Sequence, residues 1–286
     1  MDRMEISGRI GTVADTLAKA DYPYLSLPKN VAPSIDDLEN ILCLLRAVIF
    51  PGFFDTPGHT GSVHQRLEKI FDLLNEQIRR GLSFGKDDTP DARDQASHIA
   101  MALIDKIPCI QYLLSTDVKS ILIGDPAAKS VSEVIFSYPA TQAILYQRVA
   151  HELLLMNVPM IPRIITEIAH SRTGIDIHPG ACIGEFFGID HGTGVVIGET
   201  AIIGNNVRLY QGVTLGAKKY TLDDNGEPLS IPRHPVIEDN VTIYSNTSVL
   251  GRITIGRDSI IGGNVWLTHD VPPRSKISQG RAVEDK

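Results

Sequence analysis

Ile237-Glu-Asp-Asn-Val-Thr-Ile243-Tyr-Ser-Asn-Thr-Ser-Val249-Leu-Gly-Arg-Ile-Thr-Ile255-Gly-Arg-Asp-Ser-Ile-Ile261-Gly-Gly-Asn-Val-Trp-Leu267 carries a branched aliphatic residue at every sixth position. The same beat runs upstream through Ile177, Ile183 and Ile189, then in a second phase through Ile197, Ile203, Leu209 and Leu215. Four places after many of these residues the side chain is small or β-branched: Ala181, Thr193, Ala201, Val207, Val213, Val241, Thr247, Ser259 and Val265. Gly, Asn or Asp stands close behind others, as in Ile183-Gly184, Ile203-Gly204 and Ile255-Gly256. Helices repeat every ~3.6 residues and strands every ~2, so neither returns one face at intervals of six unless short strands alternate with tight corners. The beat therefore predicts a hexapeptide parallel β-helix in which three hexapeptides close a triangular turn of about eighteen residues. The aliphatic residue points into a narrow interior, and Gly or Asn accepts the corner's backbone angles.

The beat breaks twice. Two extra residues separate Ile189 from Ile197, and a longer interval lies between Leu215 and Ile237. The longer break predicts an extruded loop over 217–235, containing Asp223-Asp224-Asn225-Gly226 and three prolines. Loops thrown out of a rigid solenoid are favoured places for function.

The chain has 286 residues, enough for two compact units. Its 27 basic and 34 acidic residues give a net charge of −7, with no basic patch for nucleic acid, so small ligands are expected. Cys43, Cys109 and Cys182 are odd in number and widely spaced, which argues against a disulfide framework or a metal site and for a reducing compartment. The first ten residues lack the apolar core of a secretory signal, and no uninterrupted apolar stretch approaches the ~20 residues of a membrane span. A cytoplasmic protein is expected.

The first half reads as helix. Ser34-Ile35-Asp36-Asp37 resembles a capping box ahead of the amphipathic run 38–50, which stops at Pro51-Gly52. Thr89-Pro90-Asp91 supplies an N-cap, a first-turn proline and an acidic first turn for 96–107, and apolar runs follow over 110–123, 131–136 and 141–155. Loops are expected at 58–61 and 84–88. This divides the chain into an all-helical unit, 1–167, and a solenoid, 168–286, whose exposed end the helices cover.

The densest polar cluster is Gly188-Ile189-Asp190-His191-Gly192-Thr193-Gly194, at the first phase break. Asp176 lies fifteen residues before His191, three short of an eighteen-residue turn, so the two side chains can meet on adjoining coils. A carboxylate beside an imidazole holds one tautomer and raises its basicity, as needed to take a proton from a hydroxyl. Beyond the loop, Arg233-His234 stands between Pro232 and Pro235, and an Arg can grip a carboxylate with two parallel hydrogen bonds. Plainer roles compete: Asp190 as a turn cap, Arg233 as a loop anchor, His178 as a structural corner residue and Cys182 as packing.

Asp176-Ile-His-Pro, Ile189-Asp-His-Gly-Thr-Gly, Val196-Ile-Gly-Glu-Thr-Ala, Gln211-Gly-Val-Thr-Leu-Gly and Arg233-His-Pro, in this order over some hundred residues, closely resemble serine O-acetyltransferase. Upstream, Gly124-Asp125-Pro126-Ala127 resembles the family's Asp-Pro-Ala segment at the end of its helical domain. The resemblance implies an α+β protein, with an N-terminal all-helical domain followed by a left-handed parallel β-helix. It further implies trimers with active sites between subunits, often paired into hexamers. By the same resemblance His191 is the general base and Asp176 its partner, while Asp125, Asp190, Arg233 and His234 contact L-serine. Acetyl-CoA is the co-substrate, lying along the coils past Gly216, Ala217, Ser245 and Gly263, with Lys218 or Lys219 at a phosphate. No metal is implied. L-cysteine is implied as a feedback inhibitor competing at Asp190, Arg233 and His234.

Several stretches depart from the family pattern. Ala217-Lys218-Lys219-Tyr220 replaces the glycine-rich loop, the segment before Arg233 is longer, and Tyr244-Ser245-Asn246 stands where Gly-Ala pairs are frequent. The sequence ends Glu284-Asp285-Lys286, without the terminal isoleucine that many relatives insert into O-acetylserine sulfhydrylase, so that complex is not expected in its usual form. Three rivals remain from the residues themselves. A hexapeptide acetyltransferase acting on a sugar or another hydroxyl would keep His191. A γ-class carbonic anhydrase needs a histidine triad whose spacing His178, His191 and His234 do not show. A noncatalytic trimeric scaffold would need neither polar pair.

Overall fold

The computed structural model describes residues 1–19, 31–55, 61–219, 222–223, 226, 229 and 231–279. Asp224, Asn225, Tyr220, the expected loop's 58–60 and the terminal 280–286 lie outside the described residues. Seven helices come first among the described residues: α1 (Arg3–Lys19), α2 (Ile35–Ile49), α3 (Val63–Ser83), α4 (Pro90–Gly124), α5 (Val131–Ser137), α6 (Pro139–Leu155) and α7 (Ile161–Thr173). At the α2 start, the Ser34 side chain accepts from Asp37 N–H at 3.2 Å, as the sequence suggests. The reciprocal bond comes from elsewhere: Gln77 of α3 accepts Ser34 N–H at 2.7 Å and donates to Asp37 at 2.9 Å. A side chain forty residues away thus completes the cap and ties α2 to α3.

The expected runs at 96–107 and 110–123 are one helix. Pro108 sits inside α4, whose 35 residues continue past it. Proline removes one backbone bond there, but packing on both sides outweighs that loss. The buried face, from Ala96, Ile99 and Leu103 through Ile110 and Leu114 to Val118 and Ile121, lies against α3, α5 and α6. By length and composition alone α4 could cross a membrane; here its apolar face is the spine of the helical core.

α7 runs through position 167 and ends at Gly174, a left-handed cap with φ 70°. The solenoid begins at once with β1 (Asp176–Ile177), β2 (Cys182–Ile183) and β3 (Gly188–Asp190). Then come β4 (Val196–Ile197), β5 (Ile202–Ile203), β6 (Arg208–Tyr210), β7 (Thr214–Gly216), β8 (Val236–Ile237), β9 (Thr242–Ile243) and β10 (Ser248–Leu250). β11 (Thr254–Ile255), β12 (Ile260–Ile261), β13 (Trp266–Leu267) and β14 (Lys276–Ile277) complete it. All pairs are parallel and form three faces: β1-β4-β7-β10-β13, β2-β5-β8-β11 and β3-β6-β9-β12-β14. This is a left-handed parallel β-helix on a helical domain.

The register explains both phase breaks. Ile183 pairs with Ile203, twenty residues on, so the two extra residues lengthen the first coil. Ile203 pairs with Ile237, 34 residues on, so the strand ladder continues across the longer break. Ile237 pairs with Ile255, at the regular eighteen. Every beat residue is buried except Ile183, which is half-buried at the helical end. Corner residues Asn206, Asn240, Asn246, Asp258 and Asn264 have φ between 55° and 61°, where Asn and Asp are better tolerated than other side chains. Cys182 is exposed rather than packed, because it precedes the beat and points outward.

One buried ion pair joins the two parts. Arg148 of α6 donates to Asp117 of α4 through Nε at 2.8 Å and Nη2 at 3.0 Å, and also to the carbonyls of Ile183 and Gly184. Asp117 accepts Phe187 N–H at 3.0 Å. The corner between β2 and β3, which a lone solenoid would leave bare, is thus fastened to two helices.

Candidate active site

The strands on either side of each corner decide which side chains can meet. The turn 191–195 joins β3 on one face to β4 on the next and lies against the start of β1: Gly194 N–H donates to Gly174 O at 2.8 Å, and Asp176 N–H to Val195 O at 2.9 Å. His191 takes φ 58° at this turn, a strained angle for a non-glycine residue and one that often marks functional positions. Gly192 follows at φ 85°, where a Cβ would strike Ile175. The His191 side chain is 70 % exposed, with Nδ1 3.8 Å from the carboxylate of Asp190, itself 17 % exposed.

Asp125 caps the end of α4 and lines a crevice with Gly124, Gly188, Asp190 and Arg208. Two donors hold its carboxylate: Tyr138 Oη at 2.5 Å and Ala127 N–H at 2.8 Å. The Tyr138 bond, then the Ala127 N–H, and less strongly the nearby His191, hold its pKa below the usual carboxylate range. The same bond pushes the Tyr138 phenol up to about 12. Asp125, Asp190 and His191 therefore converge from a helix end and a solenoid corner.

Asp176 shares the His191 corner, but the fifteen-residue spacing produces no ion contact between them within 4.0 Å. The first coil is twenty residues long, so Asp176 pairs with Val196 rather than with a residue nearer His191. Its carboxylate lies 4.0 Å from Arg163, which also pairs with Glu167 at 2.5 Å. Glu167, His170 and Asp176 have ligand atoms close enough to hold a cation, yet the Arg163 guanidinium already supplies positive charge beside two of them.

Arg233 and His234 lie between β7 and β8 and stack on the corner between β4 and β5. Arg233 donates to Glu199 at 2.6 Å. The Thr200 hydroxyl accepts the backbone N–H of Arg233 at 2.9 Å and of His234 at 3.1 Å, and lies 2.9 Å from His234 Nδ1. Thr200 N–H donates to the same nitrogen at 3.1 Å, so Nδ1 is an acceptor and the ring proton sits on Nε2. The ring lies against Gly198, where a Cβ would overlap it. Burial first, and then the Arg233 charge, lower the His234 pKa to about 4, so the ring is a neutral donor. His178, on the same corner, has a pKa lowered chiefly by burial, and its Nδ1 accepts Gly180 N–H at 3.0 Å.

The four expected cofactor residues divide between these corners. Ser245 and Gly263 stack above the His191 turn, linked through Gly212-to-Thr193, Asn246-to-Gln211 and Asn264-to-Ser245 backbone bonds of 2.9 Å. Gly216 and Ala217 stand at the Arg233 corner, where Lys218, Lys219, Arg233 and Arg252 line a cleft of about 260 Å³. Tyr244 stacks on Tyr210, with ring centroids 4.8 Å apart, in the column that begins at Asp190. Thr200, Glu199, Tyr138 and Gln211 were given no role by sequence reasoning. Gln211 Oε1 is buried without a hydrogen-bond partner among the described residues. Glu199-Thr200 lay inside a quoted motif; Tyr138 had only the signal of a Tyr-Pro pair opening a helix.

A parallel β-helix with a polar corner of this kind defines a hexapeptide-repeat transferase, and the family model for bacterial transferase hexapeptide (six repeats) matches residues 234–269. A plasmid serine acetyltransferase of Synechococcus elongatus is 48% identical over 266 residues, covering 88% of this chain and 83% of its own. The chain belongs to the serine acetyltransferase family and is an acetyl-CoA-dependent acyltransferase. Among solved structures, serine acetyltransferase isoform 3 of Entamoeba histolytica in complex with cysteine has a TM-score of 0.73 at 32% identity, covering 96% of this chain and 93% of its own. Serine acetyltransferase of Neisseria gonorrhoeae in complex with serine has a TM-score of 0.57 at 28% identity, covering 88% and 98%.

Proposed function

We propose that this protein transfers the acetyl group of acetyl-CoA to the hydroxyl of L-serine, giving O-acetyl-L-serine and CoA, the first step from serine to cysteine. The observation that carries the reading is the convergence of the Asp125 and Asp190 carboxylates on His191. Serine's hydroxyl is a poor nucleophile at neutral pH. His191 takes its proton as the oxygen attacks the thioester carbonyl, and the imidazolium formed then protonates the departing thiolate, so no covalent enzyme intermediate is needed. Asp176, at the same corner, is the carboxylate that stabilises the imidazolium once His191 turns toward it. Asp125 and Asp190 receive the substrate ammonium, Arg233 its carboxylate, and His234 donates from Nε2. The pantetheine arm follows the small residues Ser245 and Gly263 above His191, and the cationic cleft beside Gly216 and Ala217 suits the CoA phosphates.

The two halves of the site lie on different corner columns of the solenoid, and Val196, Ile202, Ile260 and Trp266 point outward from the faces and are exposed. We therefore assign the assembly as a homotrimer, or a pair of trimers, in which one subunit's Arg233 corner completes its neighbour's His191 corner. L-cysteine, bound in the Entamoeba relative, matches serine in its ammonium and carboxylate and would compete as a feedback inhibitor. Free thiols at Cys43, Cys109 and Cys182 fit a cytoplasmic setting. The test is thiol release from acetyl-CoA with L-serine, comparing wild type and His191→Ala. Serine-dependent release that collapses in the variant is expected. Turnover only on a sugar or another hydroxyl acceptor would move the protein to a different acetyltransferase branch.

A further inference from the structure

Tyr138 stands where α5 ends and α6 begins. Its N–H donates to Val134 O at 3.3 Å, its carbonyl accepts Thr141 N–H at 3.2 Å, and Pro139 follows as the first residue of α6. The ring is half-buried against the hydrophobic core. Both backbone groups and the fixed φ of the next residue thus settle where the phenol can reach. It reaches back thirteen residues and donates to Asp125 Oδ2 at 2.5 Å, while Ala127 N–H holds Oδ1 at 2.8 Å. A carboxylate oxygen accepts more than one hydrogen bond, so each Asp125 oxygen keeps capacity for a further donor.

We infer that Tyr138 is a positioning residue for the acetyl transfer: its hydroxyl aims the Asp125 carboxylate at the ammonium group of the amino-acid acceptor. The inference rests on the proposed role of Asp125. Asp125 has no helix interior around it, only the chain end of α4, so without Tyr138 one oxygen would lose its fixed direction. The charged groups around this pair are His191 and Asp190 from the β3 corner, Arg208 from β6, Lys129 from the loop after α4 and Glu133 from α5. Tyr138 and Ala127 favour the ionised carboxylate, as do His191 and Lys129. An ionised, aimed carboxylate is what a substrate ammonium needs.

The experiment compares wild type, Tyr138→Phe and Asp125→Asn in steady-state kinetics on the full-length oligomer. Tyr138→Phe keeps the ring and its packing. It is expected to raise the serine KM about tenfold, the range of one hydrogen bond to a charged group. Its kcat and acetyl-CoA KM are expected to stay within about twofold of wild type. The Ki of 3-hydroxypropanoate, a serine analogue lacking the amine, is expected to be unchanged, whereas general damage to the site would weaken it along with serine. If Asp125→Asn raises the serine KM while Tyr138→Phe leaves it unmoved, the inference is overturned and the proposed function stands. If Asp125→Asn leaves the serine KM unchanged, the assigned role of Asp125 fails and the inference falls with it.

Discussion

Replacing the Thr200 hydroxyl by a methyl group, in Thr200→Val, preserves shape and removes three interactions with the Arg233-His234 segment. The hydroxyl accepts Arg233 N–H and His234 N–H and lies 2.9 Å from His234 Nδ1. Three further bonds survive: Thr200 N–H to His234 Nδ1, and Arg252 Nη1 to the carbonyls of Thr200 and His234. A typical intramolecular hydrogen bond contributes about 0.5–1.5 kcal/mol net, and the surviving contacts limit the collapse, so we take about 2–3 kcal/mol as the cost of misplacing the Arg233-His234 segment. If that cost falls on substrate binding, kcat/KM for serine drops about 30- to 150-fold. Thr200→Ser keeps the hydroxyl and is expected to stay within about threefold of wild type. The assay is thiol release at varied serine with saturating acetyl-CoA. A Thr200→Val enzyme whose kcat/KM lies within threefold of wild type would show that Arg233 and His234 are held by the prolines and by their remaining contacts with Thr200 N–H, Arg252 and Glu199.

Two predictions concern stability. Asp117→Ala leaves the buried Arg148 guanidinium with only the Ile183 and Gly184 carbonyls and should cost about 3–5 kcal/mol, the usual penalty for breaking a buried pair. The urea midpoint measures this, and a loss under about 1 kcal/mol would contradict the fastening role of the pair. His234 supplies a pH test. Its folded pKa is about 4, below the ordinary ~6.5, so the unfolded chain binds the proton more readily. The stabilisation is therefore complete above about pH 6.5 and is lost as pH falls toward 4. Between pH 7.5 and 5 the wild-type urea midpoint should drop more than that of His234→Gln; equal drops would place the acid sensitivity elsewhere.

How far a residue's role was legible depended on how local its cause was. The Ser34 and Thr89 caps follow from neighbours three positions away and appear as expected. Continuation of α4 through Pro108 did not follow, because the local rule disfavours it and packing against α3, α5 and α6 overrules that rule. The Asp190-His191 pair could be found from a break in the beat, since a break in a rigid repeat is itself a local signal. Thr200 and Tyr138 could not be ranked, because their partners lie 33 and 13 residues away and nothing in the period marks them.

The six-residue beat by itself determined the solenoid, its two interruptions and the inward side of nearly every strand, because a repeat of hydrophobic burial is written residue by residue. Tertiary structure alone decided the lengths of the interrupted coils, twenty and 34 residues, and hence which side chains share a corner. It separated Asp176 from direct contact with His191, delivered Asp125 from the helical domain to the Asp190 crevice, and placed Arg233 and His234 on a neighbouring corner. The physical reason is that periodicity fixes the direction of a side chain, whereas proximity across coils and between domains depends on register and docking, and these are settled only when distant segments pack.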